Sequence, residues 1–247
     1  MLDSELACHL ATEAGRLLLE VRRETATASE EARGDEGDRR SQAFLAEELA
    51  RSRPNDAVLS EESIDDRRRL QSPRVWIIDP LDSTDEFSEL GRDDWAVHVA
   101  LWEEGGRLVA GAVALPAQGM TLSTIDVTLR PANSPAPRIL VSRNRPPAFA
   151  RQVADELGGR LVPLGSAGAK VGAVIQGEAD AYVHAGGQYE WDSAAPVAVA
   201  QAAGLHASRI DGSALVYNRP DPKLPDLLVC RRELAEPILA AIRKAAR

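Results

Sequence analysis

Apolar residues recur at helical spacing through the first twenty positions: Leu6, Leu10, Leu17, Leu18 and Val21, with Asp3 or Ser4 available as a cap. That spacing predicts an amphipathic helix over 3–22. The pattern then fails. Residues 23–40 are polar and acidic and contain Gly34 and Gly37, which predicts a mobile loop or weak hairpin, long enough to carry function and ordered only with metal and substrate. Phe44, Leu45 and Leu49 predict a second helix over 41–52, ended by Arg53-Pro54-Asn55-Asp56. Beyond it the period shortens. Ala57-Val58-Leu59 and Val75-Trp76-Ile77-Ile78 read as strands, 95–102 and 108–115 as a hairpin about Glu104-Gly105-Gly106, and 120–128 as a further strand.

Residues 131–137, with three prolines in seven positions, mark a linker. After it strands and helices alternate: strand 138–142, helix 146–157, strand 160–164, helix 167–176, strand 181–184, helix 192–203, strand 226–230 and helix 232–246. Two helices followed by a mainly antiparallel sheet describe an α+β half over 1–131. The alternation describes an α/β half over 132–247, completing a cleft.

Composition narrows the function. The chain is 44% hydrophobic and 27% charged, which excludes general disorder. Its 38 acidic and 29 basic residues give a net charge of −9, so no general attraction to nucleic acid or an anionic membrane is expected. No run reaches the ~18 apolar residues of a spanning helix, and Met1-Leu2-Asp3-Ser4-Glu5 does not open like a signal peptide. Cys8 and Cys230 are far apart and form no zinc or disulfide pattern, which points to a reducing cytoplasm.

The chemistry concentrates where strands end in carboxylates. Trp76-Ile77-Ile78 runs into Asp79-Pro80-Leu81-Asp82, and Ser83-Thr84 opens what should be a helix. Backbone N–H groups at such a start lack internal partners and suit a phosphate beside carboxylates that hold Mg²⁺. Alone, the segment is equally an Asp-Pro turn followed by a helix cap. Ser60-Glu61-Glu62 closes another strand, and Trp191-Asp192 opens an Ala-rich helix. Either could be surface or cap by itself. Three acidic ends in this order form a specific pattern.

The set Glu61-Glu62, Asp79-Pro80-Leu81-Asp82-x-Thr84 and Trp191-Asp192-x-Ala194-Ala195 resembles the signature of the inositol-monophosphatase superfamily. Val141-Ser142-Arg143, Gly165-Ser166-Ala167-Gly168-Ala169-Lys170 and the Glu190-Trp191-Asp192 segment resemble its 3′(2′),5′-bisphosphate nucleotidase branch. The resemblance spans nearly the whole chain. It implies a layered α-β-α-β-α sandwich, commonly dimeric. It also implies a phosphomonoesterase using two Mg²⁺ ions, with Asp38 marking a third, weaker one. Glu61, Asp79, the Leu81 carbonyl, Asp82 and Asp192 would bind metal. Thr84 and Glu61 would orient the attacking water, and the Ser83 and Thr84 amides would hold phosphate. Ser142, Arg143, Ser166, Lys170 and Glu190 would face a nucleotide, with 3′-phosphoadenosine 5′-phosphate as the favoured substrate. The donor set agrees with the chemistry: hard Mg²⁺ prefers oxygen, and no proposed ligand is Cys or His.

Two residues depart from the family pattern. Ser83 stands where glycine is usual, adding a side chain where backbone must approach phosphate. Asp85 stands where the nucleotidases often carry a basic residue, and its charge would repel a second phosphate. A modified nucleoside monophosphate or a sugar phosphate is therefore an alternative substrate, and a non-catalytic nucleotide- or metal-binding relative a further one. Ala185 replaces a glutamate that inositol-specific relatives place six residues before the tryptophan, which disfavours inositol phosphate. The four histidines show no metal spacing, and His184 alone is placed near the cleft. Asp65-Asp66 with Arg67-Arg68-Arg69 reads as a solvated helix face.

Overall fold

A computed structural model describes residues 1–245. Sheet A contains β1 (Ala57–Ser60), β2 (Arg74–Asp82), β3 (Ala96–Glu103), β4 (Arg107–Leu115) and β5 (Met120–Ser123), in that order. Its first pair is parallel and the others antiparallel. Sheet B contains β6 (Arg138–Ser142), β7 (Arg160–Leu164), β8 (Ala181–Ala185), β9 (His206–Ser208) and β10 (Asp226–Cys230), in the order β7-β6-β8-β10-β9. Both faces of each sheet are covered. Trp76, Ile78, Val97 and Val99 pack against α1 (Asp3–Glu24) and α2 (Glu30–Ser52), while Val75, Ile77, Ala96 and Ala100 join the central core. This is the period-2 alternation of a strand buried on both sides.

The central core also takes residues of α5 (Ala167–Ile175), α6 (Glu190–Ala202) and the inner face of sheet B. Small residues allow this close packing. A Cβ on Gly168 would sit 2.8 Å from Ala96 Cβ, and one on Gly111 would sit 2.6 Å from Ala198 Cβ. On the outer face of sheet B, Ile139, Val183 and Leu228 meet α4 (Ala150–Glu156) and α7 (Ala235–Ala245). The result is the α-β-α-β-α sandwich that the sequence resemblance implied.

The main correction concerns residues 23–40. Only a short turn separates the first two helices, and α2 begins at Glu30. Ser29 caps it by accepting from Ala32 N–H at 3.2 Å, and Glu30 and Glu31 occupy its first turn. Arg33, buried, ties down the turn by donating to the carbonyls of Thr25, Ala26, Ala28 and Ser88. The two glycines permit close approach: Cβ atoms on Gly34 and Gly37 would fall 2.7 Å from Thr84 Cγ2 and Phe87 Cε1.

Smaller differences have local causes. Pro146 and Pro147 delay α4 to Ala150, and the strand expected over 120–128 stops at Ser123, whose Oγ accepts from Ile125 N–H. Strand β9 was not expected. Residue 246, included in the expected last helix, lies outside the described residues. Nor is Asp65-Asp66 with Arg67-Arg68-Arg69 a solvated face throughout: Arg69 is buried.

Candidate active site

β2 carries two of the expected carboxylates. It continues through Asp79-Pro80-Leu81-Asp82 with an irregular register against β3 between Asp79 and Asp82, so both acids lie on the site side of the turn. Asp79 Oδ1 accepts the Leu81 N–H at 3.1 Å, while its Oδ2 is buried without a partner. Asp192 arrives from the first turn of α6, where its Oδ2 also accepts Tyr189 N–H at 2.6 Å. Asp79, Asp82 and Asp192 each offer an oxygen within 4.8 Å of the others. Glu61, from the end of β1, and the Leu81 segment line the same cavity.

These acids are mutually unfavourable when ionised without a counter-charge. Burial, then Glu61, Asp82 and Asp192, push the Asp79 carboxyl well above the usual range. Asp192 rises to about 8 through burial and the charge of Asp82. Glu61 rises to about 7 through desolvation in the crowded cleft, then Asp82, Glu62 and Asp38. Asp38 rises to about 7 by burial and the nearby Glu62, and its carboxylate lies 3.4 Å from Thr84 Oγ1. A cluster of this kind fits a cation. It holds an orphaned buried carboxylate oxygen, further carboxylates within ligand distance and a backbone carbonyl, all hard donors.

The segment after Asp82 is short. Ser83 adopts φ 76, the left-handed region, and caps the five-residue α3 (Thr84–Ser88). The family's glycine preference at this position is therefore a backbone requirement that serine meets under strain. The N–H groups of the first turn have no helical acceptor. α2 fixes the surroundings: Ser41 donates to the Pro80 carbonyl at 2.7 Å, and Ser60 Oγ donates to Gln42 Oε1 at 2.7 Å.

The remaining sequence-selected residues separate into two groups. Ser83, Thr84, Asp85, Ser142, Arg143 and Lys170 line a cavity of about 350 Å³ together with Glu61, Asp82 and Asp192. Ser166 and Glu190 do not. Ser166 Oγ caps α5 by accepting Ala169 N–H at 2.7 Å. Glu190 is fully buried, and its carboxylate accepts Asn218 N–H at 2.6 Å and Arg219 N–H at 2.8 Å. Both side chains serve the backbone instead of reaching substrate space.

Gly187 and Gln188, part of the 186–189 segment read from the sequence as a small, polar entrance, line the cavity, whereas Arg145 and Tyr182 line it without having been singled out. Only the positions of these two, after β6 and on β8, bring them there, so no local motif announced them. His98 is the other omission. Buried on the inner face of β3, its Nδ1 donates to the Trp191 carbonyl at 3.2 Å, and its Nε2 lies 3.2 Å from Asp82 Oδ2. The ring thus spans the two carboxylate-bearing segments. Asp82 Oδ2 also accepts Gly168 N–H at 3.2 Å, which ties α5 to the same acid.

The family comparison matches residues 3–247 to the inositol monophosphatase family. The chain belongs to that family. It is 51% identical to a 3′-phosphoadenosine 5′-phosphate phosphatase from Mycobacterium leprae, over 98% of this chain and 94% of that protein. It is 28% identical to the 3′(2′),5′-bisphosphate nucleotidase CysQ of Escherichia coli, over 88% of this chain and 94% of that protein. Its fold superposes on inositol monophosphatase II from Staphylococcus aureus with a TM-score of 0.77 at 21% identity, covering 98% and 97% of the two chains. The nucleotidase resemblance read from the sequence agrees with the first two relatives.

Proposed function

We propose that the protein is a Mg²⁺-dependent phosphomonoesterase that removes one phosphate from a nucleotide bisphosphate, with 3′-phosphoadenosine 5′-phosphate as the favoured substrate. The observation that carries this reading is the convergence of Asp79, Asp82 and Asp192 within 4.8 Å, the last two lining a cavity whose other walls are mostly polar. The substrate class rests on the relative at 51% identity over nearly both chains.

Asp79, Asp82, Asp192, Glu61 and the Leu81 carbonyl would hold two Mg²⁺ ions, with Asp38 and Glu62 beside a third position. Bound there, the metal supplies charge for the phosphoryl oxygens and lowers the pKa of the attacking water. The protein's own groups do the orienting. Thr84 Oγ1, between Asp38 and the Leu81 carbonyl at 3.4 and 3.5 Å, is oriented by both acceptors. Its lone pairs can then accept a hydrogen bond from the attacking water. Glu61 is the other group positioned to accept from that water. The first-turn amides after Ser83 donate to the phosphate.

Among the described residues no helix is long and apolar enough to cross a membrane, and Cys8 and Cys230 are free thiols. The free thiols agree with a cytoplasmic enzyme acting on a dissolved nucleotide, and the family resemblance suggests a homodimer.

Phosphate release with Mg²⁺ from a panel of nucleotide, inositol and sugar phosphates tests the proposal. The bisphosphate nucleotide is expected to be turned over best, and Asp82→Asn to cut its turnover at least a hundredfold. Release from none of the panel, or an undiminished Asp82→Asn, refutes it.

A further inference from the structure

A nucleotide bisphosphate carries one phosphate to the metal cluster and leaves a second to be recognised elsewhere. The cavity offers three cationic side chains for it, and the structure makes them unequal. Lys170 is buried, and its Nζ donates to the carbonyls of Gly165 and Leu164 while lying 4.9 Å from the centre of the Tyr182 ring. Arg143 lies between two carboxylates, with Glu86 at 3.1 Å and Glu89 at 3.1 Å. Its charge is balanced within the protein. The same edge carries Asp85, exposed on the cavity wall, so a phosphate placed there meets three carboxylates for one guanidinium.

Arg145 differs on each point. It is exposed on the cavity wall, and among the described residues no carboxylate pairs with its guanidinium. Its backbone is set in advance. The Arg145 N–H donates to Ser142 Oγ at 3.2 Å, and Pro146 restricts the residue before it to extended geometry. The guanidinium lies against the turn after β8. A Cβ on Gly187 would stand 3.2 Å from Arg145 Nη1 and 3.8 Å from Cζ. Gly187 has φ 81, a conformation only glycine takes without strain, so the turn leaves bare backbone beneath the arginine. A guanidinium placed in this way lines the cavity with N–H groups that no carboxylate among the described residues pairs with, and such a planar group can grip phosphate oxygens two at a time.

We propose that Arg145, seated on the Gly186-Gly187 turn, recognises the second, non-reacting phosphate of the substrate, and that Arg143 does not. This rests on the phosphatase reading above and names the specificity residue of that site. It also lessens the conflict posed by Asp85, since Arg145 follows β6 of sheet B whereas Asp85 lies on α3, after β2 of sheet A.

The test compares kcat/KM for 3′-phosphoadenosine 5′-phosphate with that for adenosine 3′-monophosphate in the wild type, Arg145→Gln, Arg145→Glu and Arg143→Gln. Arg145→Gln is expected to lower the bisphosphate-to-monophosphate ratio by roughly ten- to a hundredfold, through KM, as loss of a charge-assisted contact requires. Arg145→Glu lowers it further, whereas Arg143→Gln moves it less than about threefold. A ratio in Arg145→Gln within threefold of the wild type, or a larger fall in Arg143→Gln, overturns the assignment and leaves the phosphatase reading standing. A wild-type protein that hydrolyses neither nucleotide overturns both.

Discussion

Ser83 shows how a single side chain can conflict with its backbone. The turn from β2 into α3 needs a left-handed residue, and Ser83 takes φ 76. An L-residue there costs on the order of 1 kcal/mol relative to glycine. Ser83→Gly is therefore expected to raise stability by about 1 kcal/mol, measured as a higher urea midpoint at unchanged slope. A lower midpoint would mean that the Ser83 hydroxyl makes a stabilising contact worth more than the strain. The sequence identified the position as a departure from pattern; the strain itself is visible only in the dihedral angle. Glu190 is the opposite case. Its place beside Trp191-Asp192 suggested substrate contact, but sequence proximity does not say which way a side chain points. Two backbone N–H groups of a distant loop take its carboxylate instead.

At the scale of elements, strands written as short apolar runs were legible, and β6, β7 and β10 fall on the expected residues. Polar helices were not. α2 carries Arg33, Gly34, Gly37 and Ser41 on its buried face, so apolar periodicity could not reveal its first turns; tertiary contacts and the Ser29 cap make it helical. The same blindness hid Arg69. Its guanidinium reaches Asp65 at 2.6 Å, Asn218 Oδ1 at 2.7 Å and the Arg219 carbonyl at 2.9 Å. The 218–219 segment in turn binds Glu190 at the start of α6. One buried arginine thus links the loop after Glu61 to the helix bearing Asp192. Removing it leaves several buried polar groups unpaired, a change that costs on the order of 3 kcal/mol. Arg69→Met is expected to show that loss in urea unfolding, and to need several-fold more Mg²⁺ for half-maximal thermal stabilisation. Destabilisation with an unaltered Mg²⁺ requirement would reduce Arg69 to a purely structural anchor.

For the whole molecule, the acidic cluster joins a strand of sheet A to the helix that packs against it in the central core. Asp79 and Asp82 belong to sheet A, and Asp192 belongs to the helix between the sheets. Without a cation, their crowding opposes the folded state, as the raised pKa values of Asp79 and Asp192 indicate. With one, the same crowding becomes a set of ligands present only in the folded chain. Mg²⁺ at a hundred times its dissociation constant should then add about 2.7 kcal/mol. In a chain of this length that is a rise in Tm on the order of 5–10 °C. Asp192→Asn keeps an oxygen for Tyr189 N–H but removes one charge. Its metal-free form is expected to melt at or above the wild type, and its Mg²⁺-induced rise to fall below about a third of the wild-type value. The two melting curves should therefore change order between chelator and excess Mg²⁺. A parallel offset at both metal levels would mean that Asp192 acts through packing alone and takes no part in joining the halves through a cation.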